Sequence, residues 1–132
     1  RSTAPPWDLF MAPHHCSWYF FSEKSQDDDP EPSADIMEML DHKQARAIVV
    51  ASCRPIRNDE ENPPHWAAAQ IYRDLVEEGA FYCTSENSDG SGPLPLEFRI
   101  TRRGIQHDTG NGHSGSSAVT TSEVARRRHR YG

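Results

Sequence analysis

Pro63-Pro64-His65-Trp66-Ala67-Ala68-Ala69-Gln70-Ile71-Tyr72-Arg73-Asp74-Leu75-Val76-Glu77-Glu78-Gly79-Ala80-Phe81 is the stretch that organises the chain. Ala68, Ile71, Tyr72, Leu75 and Val76 stand at i, i+3, i+4, i+7 and i+8, which places them on one core-facing stripe of an α-helix. Asn62 is positioned to cap that helix, Pro63 or Pro64 suits its first turn, and Gly79 stops it. After Gly79 the period changes to two. Residues 80–85 then read as a strand and 87–93 as a turn-rich loop, while Leu96, Phe98 and Ile100 alternate with Glu97, Arg99 and Thr101. The expected product is a β-hairpin whose loop exceeds the tight two-residue type.

Upstream, Ile36, Met39 and Leu40 make one apolar turn of helix behind Ser33, a good N-cap. Asp41 stands three residues before Gln44, the spacing of a capping box, so a second helix is expected there with Ala45, Ile48, Val49 and Ser52 inward. Ile48-Val49-Val50 is β-branched and suits a strand as well. Pro55 ends either element.

The flanks differ in kind. Residues 1–33 form an arm in which six of the chain's twelve aromatics, Trp7, Phe10, Trp18, Tyr19, Phe20 and Phe21, precede an acidic, proline-containing linker. Ser17 to Ser22 reads as a short strand, and the aromatic knot is expected to pack on the body, with capture of a partner as the alternative. Residues 105–132 are rich in Gly, Ser, Thr, His and Asn and poor in aliphatics, which predicts a flexible basic tail. The fold expected is therefore α+β: a small domain over 34–104, an irregular N-terminal arm and a disordered C-terminal tail.

The order helix, helix, amphipathic helix, strand, loop, strand resembles a winged helix-turn-helix. Ile71 to Phe81 is similar to that family's passage from recognition helix into wing, and Phe98-Arg99-Ile100-Thr101-Arg102-Arg103-Gly104 to its second wing strand and exit. The resemblance covers about residues 35–104. It implies a DNA-binding transcriptional regulator that sets residues 64–72 at a groove and uses 87–93 as the wing. His65, Gln70 and Arg73 would then read base edges, with Arg102 and Arg103 on phosphates.

Charge qualifies that expectation. Residues 1–100 hold 18 acids against 8 Lys and Arg, a balance of −10, whereas 101–132 hold 2 acids against 6 Arg, a balance of +4. Phosphate neutralisation supplies most non-specific DNA affinity, yet the third helix sets Arg73 against Asp74, Glu77 and Glu78. Arg126, Arg127, Arg128 and Arg130 make the tail the strongest candidate for polyanion contact. The alternative is a non-enzymatic protein–protein adaptor or assembly module that uses the aromatic arm and the acidic face. Partners are thus duplex DNA or a protein, with homodimerisation left open.

Other chemistry is thinly represented. His14-His15-Cys16 are adjacent, but no pair of ligands has the short C-x₂-C spacing of structural zinc sites, and no cofactor is expected. Whether those three residues bind metal is left open. Cys53 and Cys83 lie in apolar surroundings that favour inert thiols. Ser114 and Ser116 beside His113 sit in the tail, Asp59-Glu60-Glu61 read as a solvated loop, and Gly110 to Gly115 lacks the strand and Lys-Ser/Thr of a phosphate loop. A non-enzyme is expected. No apolar run approaches the roughly 20 residues of a membrane helix. Three cysteines without a pairing pattern suit a reducing, cytoplasmic setting. The chain opens on Arg1 rather than Met, as expected of a fragment or a processed product.

Overall fold

The computed structural model describes residues 4–58 and 62–109. Helices and strands are mixed, as expected, and strand pairing sets the architecture. In chain order come β1 (Trp7–Met11), the single turn α1 (Pro13–Cys16), α2 (Ala34–Asp41), β2 (Lys43–Ala51), α3 (Trp66–Leu75) and β3 (Phe81–Cys83). Two-residue strands β4 (Ser88–Asp89) and β5 (Gly92–Pro93) follow, then β6 (Phe98–Thr101) and β7 (Gly104–His107). Among the described residues β1, β2 and β3 form a parallel sheet in that order, with Leu9 beside Ile48, and Val49, Val50 and Ala51 beside Phe81, Tyr82 and Cys83.

The helix expected from Asp41 onward is a strand. Residues 47–51 are all buried, because β2 is the central strand and is covered on both faces. Such a strand reads as an unbroken apolar run rather than an alternating one, and the β-branched Ile48-Val49-Val50 favours the pleat. Its side chains alternate between two cores. Val49 and Ala51 join Phe21, Leu40, Ala68, Ala69 and Tyr72 on one face, with α2, α3 and the aromatic arm. Ile48 and Val50 join Ile105 on the other, under Tyr82, Leu96 and Phe98.

The hairpin expected between 80–85 and 96–101 is not formed. Residues 52–80, with α3 inside them, are long enough for the crossover that a parallel strand requires, so β3 enters beside β2 in the same direction. β6 instead pairs antiparallel with β7 through a turn at Arg102-Arg103, where Gly104 takes φ +110. These pairings differ from those of a winged helix. Strand β7 also crosses the boundary drawn at Gly104, since Ile105 is buried.

Smaller differences follow from tertiary ties. The third helix begins at Trp66 with His65 as its cap residue, not Asn62, because the His65 amide donates to the Cys16 carbonyl at 3.0 Å. Its inward stripe is Ala68, Ala69, Tyr72 and Val76, with Ile71 and Leu75 half-buried. Residues 18–20 make a 3₁₀ turn where a strand was expected, capped by the Ser17 hydroxyl accepting from the Tyr19 amide at 3.2 Å. The aromatic knot packs on the body: Trp18 and Phe21 are buried, and Tyr72 meets the rings of Phe10, Phe21 and Phe81 at 6.0, 5.2 and 6.1 Å.

Candidate functional site

A helix with two unlike faces builds one wall of a cavity. In α2, Ile36, Met37 and Leu40 turn into the core, and Leu40 is wholly buried. Asp35, Glu38, Met39 and His42 stand at i, i+3, i+4 and i+7, a second stripe along the same helix and its cap. That stripe meets Trp7 and Phe10 of β1 at a cavity of about 500 Å³, whose lining Ala4 and Pro5 complete.

Hydrogen bonds fix the walls. Trp7 Nε1 donates to the Leu40 carbonyl at 3.1 Å, the Trp7 amide donates to the His42 carbonyl at 3.2 Å, and His42 Nε2 donates to the Ala4 carbonyl at 2.6 Å. The rings of Trp7 and Phe10 lie 5.6 Å apart and tilted by 48°. The cavity therefore combines indole and phenyl surface, a half-exposed Met39 and two exposed carboxylates. Among the described residues neither Asp35 nor Glu38 meets a cation. An aromatic wall beside unpaired carboxylates attracts an organic cation through the ring quadrupole and through charge.

The residues singled out in the sequence go elsewhere. His65 is 2 % exposed, and its Nδ1 accepts the Trp18 amide at 2.9 Å, so its ring is committed to the core. The Arg73 guanidinium lies 5.3 Å from the centres of both the Trp66 and Phe81 rings. Gln70 is half-buried on the same helix. Arg102 and Arg103 are exposed at the β6–β7 turn, across the sheet from α3, where they border a groove with Arg46, Gln44 and Asp8. The structure thus does not bring the α3 set and the turn arginines to one face. Arg126, Arg127, Arg128 and Arg130 lie outside the described residues, as do Asp59 to Glu61 and the Gly110 to Ser116 motifs.

His14 and His15 are exposed while Cys16 is buried, and no group of three His, Cys, Asp or Glu among the described residues could hold a metal ion. The Asp35 to His42 stripe is masked in the sequence because its apolar partner face dominates the helix. Its i, i+3, i+4, i+7 spacing was the signal. Comparison of the chain with family models, with characterised proteins and with solved structures finds no match. No helix among the described residues is long and apolar enough to cross a membrane.

Proposed function

We propose that this chain is a non-enzymatic protein-binding module that takes an arginine or lysine side chain of its partner between β1 and α2. The observation that carries the reading is the cavity in which Trp7 and Phe10 face Asp35 and Glu38, carboxylates that meet no cation within the described residues. The net charge of −6 supports it, since an acidic body steers a basic segment inward. The hydrogen bonds on Trp7 and His42 hold the walls in place, so little ordering cost falls on binding.

Titration of Trp fluorescence with acetyl-tetra-arginine amide at low salt tests this, with acetyl-tetra-glutamate amide as control. Trp7→Ala and the pair Asp35→Asn, Glu38→Gln should each weaken binding by about tenfold, the ratio that about 1.4 kcal/mol of cation–π and charge attraction gives. Absence of binding, or affinity indifferent to both changes, sinks the reading.

A second reading, contact with duplex DNA, draws on one observation: Arg46, Arg102 and Arg103 gather around a groove of about 380 Å³. Arg102→Ala with Arg103→Ala should then flatten the slope of log affinity against log salt by about 1.8. Equal, negligible retention of random duplex by both proteins at low salt would leave the adaptor alone.

A further inference from the structure

At the carboxyl end of the parallel sheet, two thiols from sequence positions thirty apart come into contact. Cys83 is the last residue of β3, and Cys53 lies two residues past the end of β2. The register that pairs Ala51 with Cys83 brings their sulfurs to 3.5 Å, and both are free thiols. The Cys83 sulfur also sits 3.2 Å from the Ser85 hydroxyl, and its S–H can donate to the carbonyls of Cys53 and Arg54 at 3.4 and 3.5 Å.

The two thiols differ in access. Cys53 is half-buried, whereas Cys83 is 5 % exposed. Cys16 is wholly buried at the end of the α1 turn; burial is the first cause that raises the thiols of both Cys16 and Cys53, with Cys83 adding to each, so access rather than acidity sets Cys53 apart. The carboxyl edge of a parallel sheet is where α/β proteins commonly place reactive groups, because loops leaving successive strands converge there.

We propose that Cys53 and Cys83 are a redox site, a dithiol that closes to an intramolecular disulfide by exchange with a low-molecular-weight disulfide, leaving Cys16 as a thiol. The Cys53 thiolate attacks one sulfur of the disulfide R–S–S–R. A Cys53–S–R bond forms, the R–S–S–R bond breaks, and the departing thiolate takes up the proton that Cys53 released. The Cys83 thiolate next attacks the Cys53 sulfur, and the second R–S⁻ leaves and is protonated by the Cys83 proton. Two protein thiols are oxidised, and one disulfide is reduced to two thiols. Closure requires the sulfurs to approach from 3.5 Å to about 2.05 Å, a movement that side-chain rotation on two adjacent strand ends can supply.

The test uses the full chain in glutathione buffers of increasing oxidised fraction, quenched with acid, alkylated and mapped after trypsin. Free thiols should fall from three to one, with the peptides spanning 47–57 and 74–99 linked and Cys16 alkylated. Half-closure should need an oxidised fraction about tenfold or more below that of the same chain in guanidinium, because the fold holds the two sulfurs together. In denaturant the three pairings should form without that preference. C16S should still lose two thiols, and C83S should stop at a glutathione adduct on Cys53. A folded chain that keeps three thiols where the denatured one is oxidised overturns the proposal. So does a bond to Cys16, or glutathione adducts without the 53–83 link.

Discussion

Tyr72 is fully buried, and its hydroxyl has no hydrogen-bond partner among the described residues. Leaving such a group unpaired costs about 1–3 kcal/mol. Tyr72→Phe keeps the ring contacts and removes that cost, so urea melts should show it more stable by about 1 kcal/mol; a loss of stability would mean the hydroxyl is satisfied. The α1 turn holds His14, His15 and Cys16 at φ 48, 61 and 66, a left-handed conformation that costs L-residues about 1–2 kcal/mol each. His15 recovers part of this through Nδ1 donating to the Ser52 carbonyl at 2.7 Å, and Cys16 through its carbonyl bond from His65. His14 is exposed, so His14→Gly should raise stability by about 1 kcal/mol, more than His15→Gly does. Cys16 also predicts a pH dependence. Its thiol pKa rises from 9.0 to about 12 on folding, so folding keeps a proton that the unfolded chain loses. Stability from this group is full below pH 9 and should fall by about 1.4 kcal/mol per pH unit from there toward pH 12, measurable as a drop in the urea midpoint.

Elements of this fold are held by the face they bury rather than by their own propensity. Leu40, wholly buried on α2, should cost about 2–5 kcal/mol as Leu40→Ala. Leu75 is only half-buried near the end of α3, so Leu75→Ala should cost less than Leu40→Ala in the same denaturation series. The reverse order would place the inward stripe of α3 on Leu75, as the sequence periodicity alone suggested. α2 carries a core face and a cavity-lining face, so Leu40→Ala is also expected to disturb the cavity wall through the Trp7 bond to the Leu40 carbonyl.

Among the described residues the three-stranded sheet is covered on both faces, and stability depends on the second cover as well as the first. Ile105 of β7 lies over Ile48 and Val50, and burying a side chain of that size is worth about 1.5–3 kcal/mol. A chain ending at Thr109 should melt cooperatively near the full-length temperature. One ending at Gly104 loses β7 and uncovers that face, a large share of a total stability of about 5–15 kcal/mol, and should melt well below it by calorimetry. Equal melting of the two would show that the hairpin is not part of the cooperative unit.

Period, charge and aromatic clustering are local properties of the chain, and they were legible without coordinates. The helical spacing that begins at Ala68 falls on α3, and Ser33 stands at the N-cap position of α2, although its side chain makes no capping hydrogen bond. Strand β2 was ambiguous because a strand buried on both faces has no alternation to display, and only its neighbours β1 and β3 decide between pleat and helix. Partner choice was equally hidden. That Phe81 to Cys83 pairs with Val49 to Ala51, rather than with 96–101, depends on a crossover that closes in space, not on any short-range signal. The same is true of both sites. Trp7 and Glu38 stand 31 positions apart and Cys53 and Cys83 stand 30 apart, and nothing in one member of either pair specifies the other. Helix position and net charge were set by the sequence itself, through periodicity and composition. Which side chains share a cavity, and which thiols touch, was decided only when the parallel sheet brought distant strand ends together.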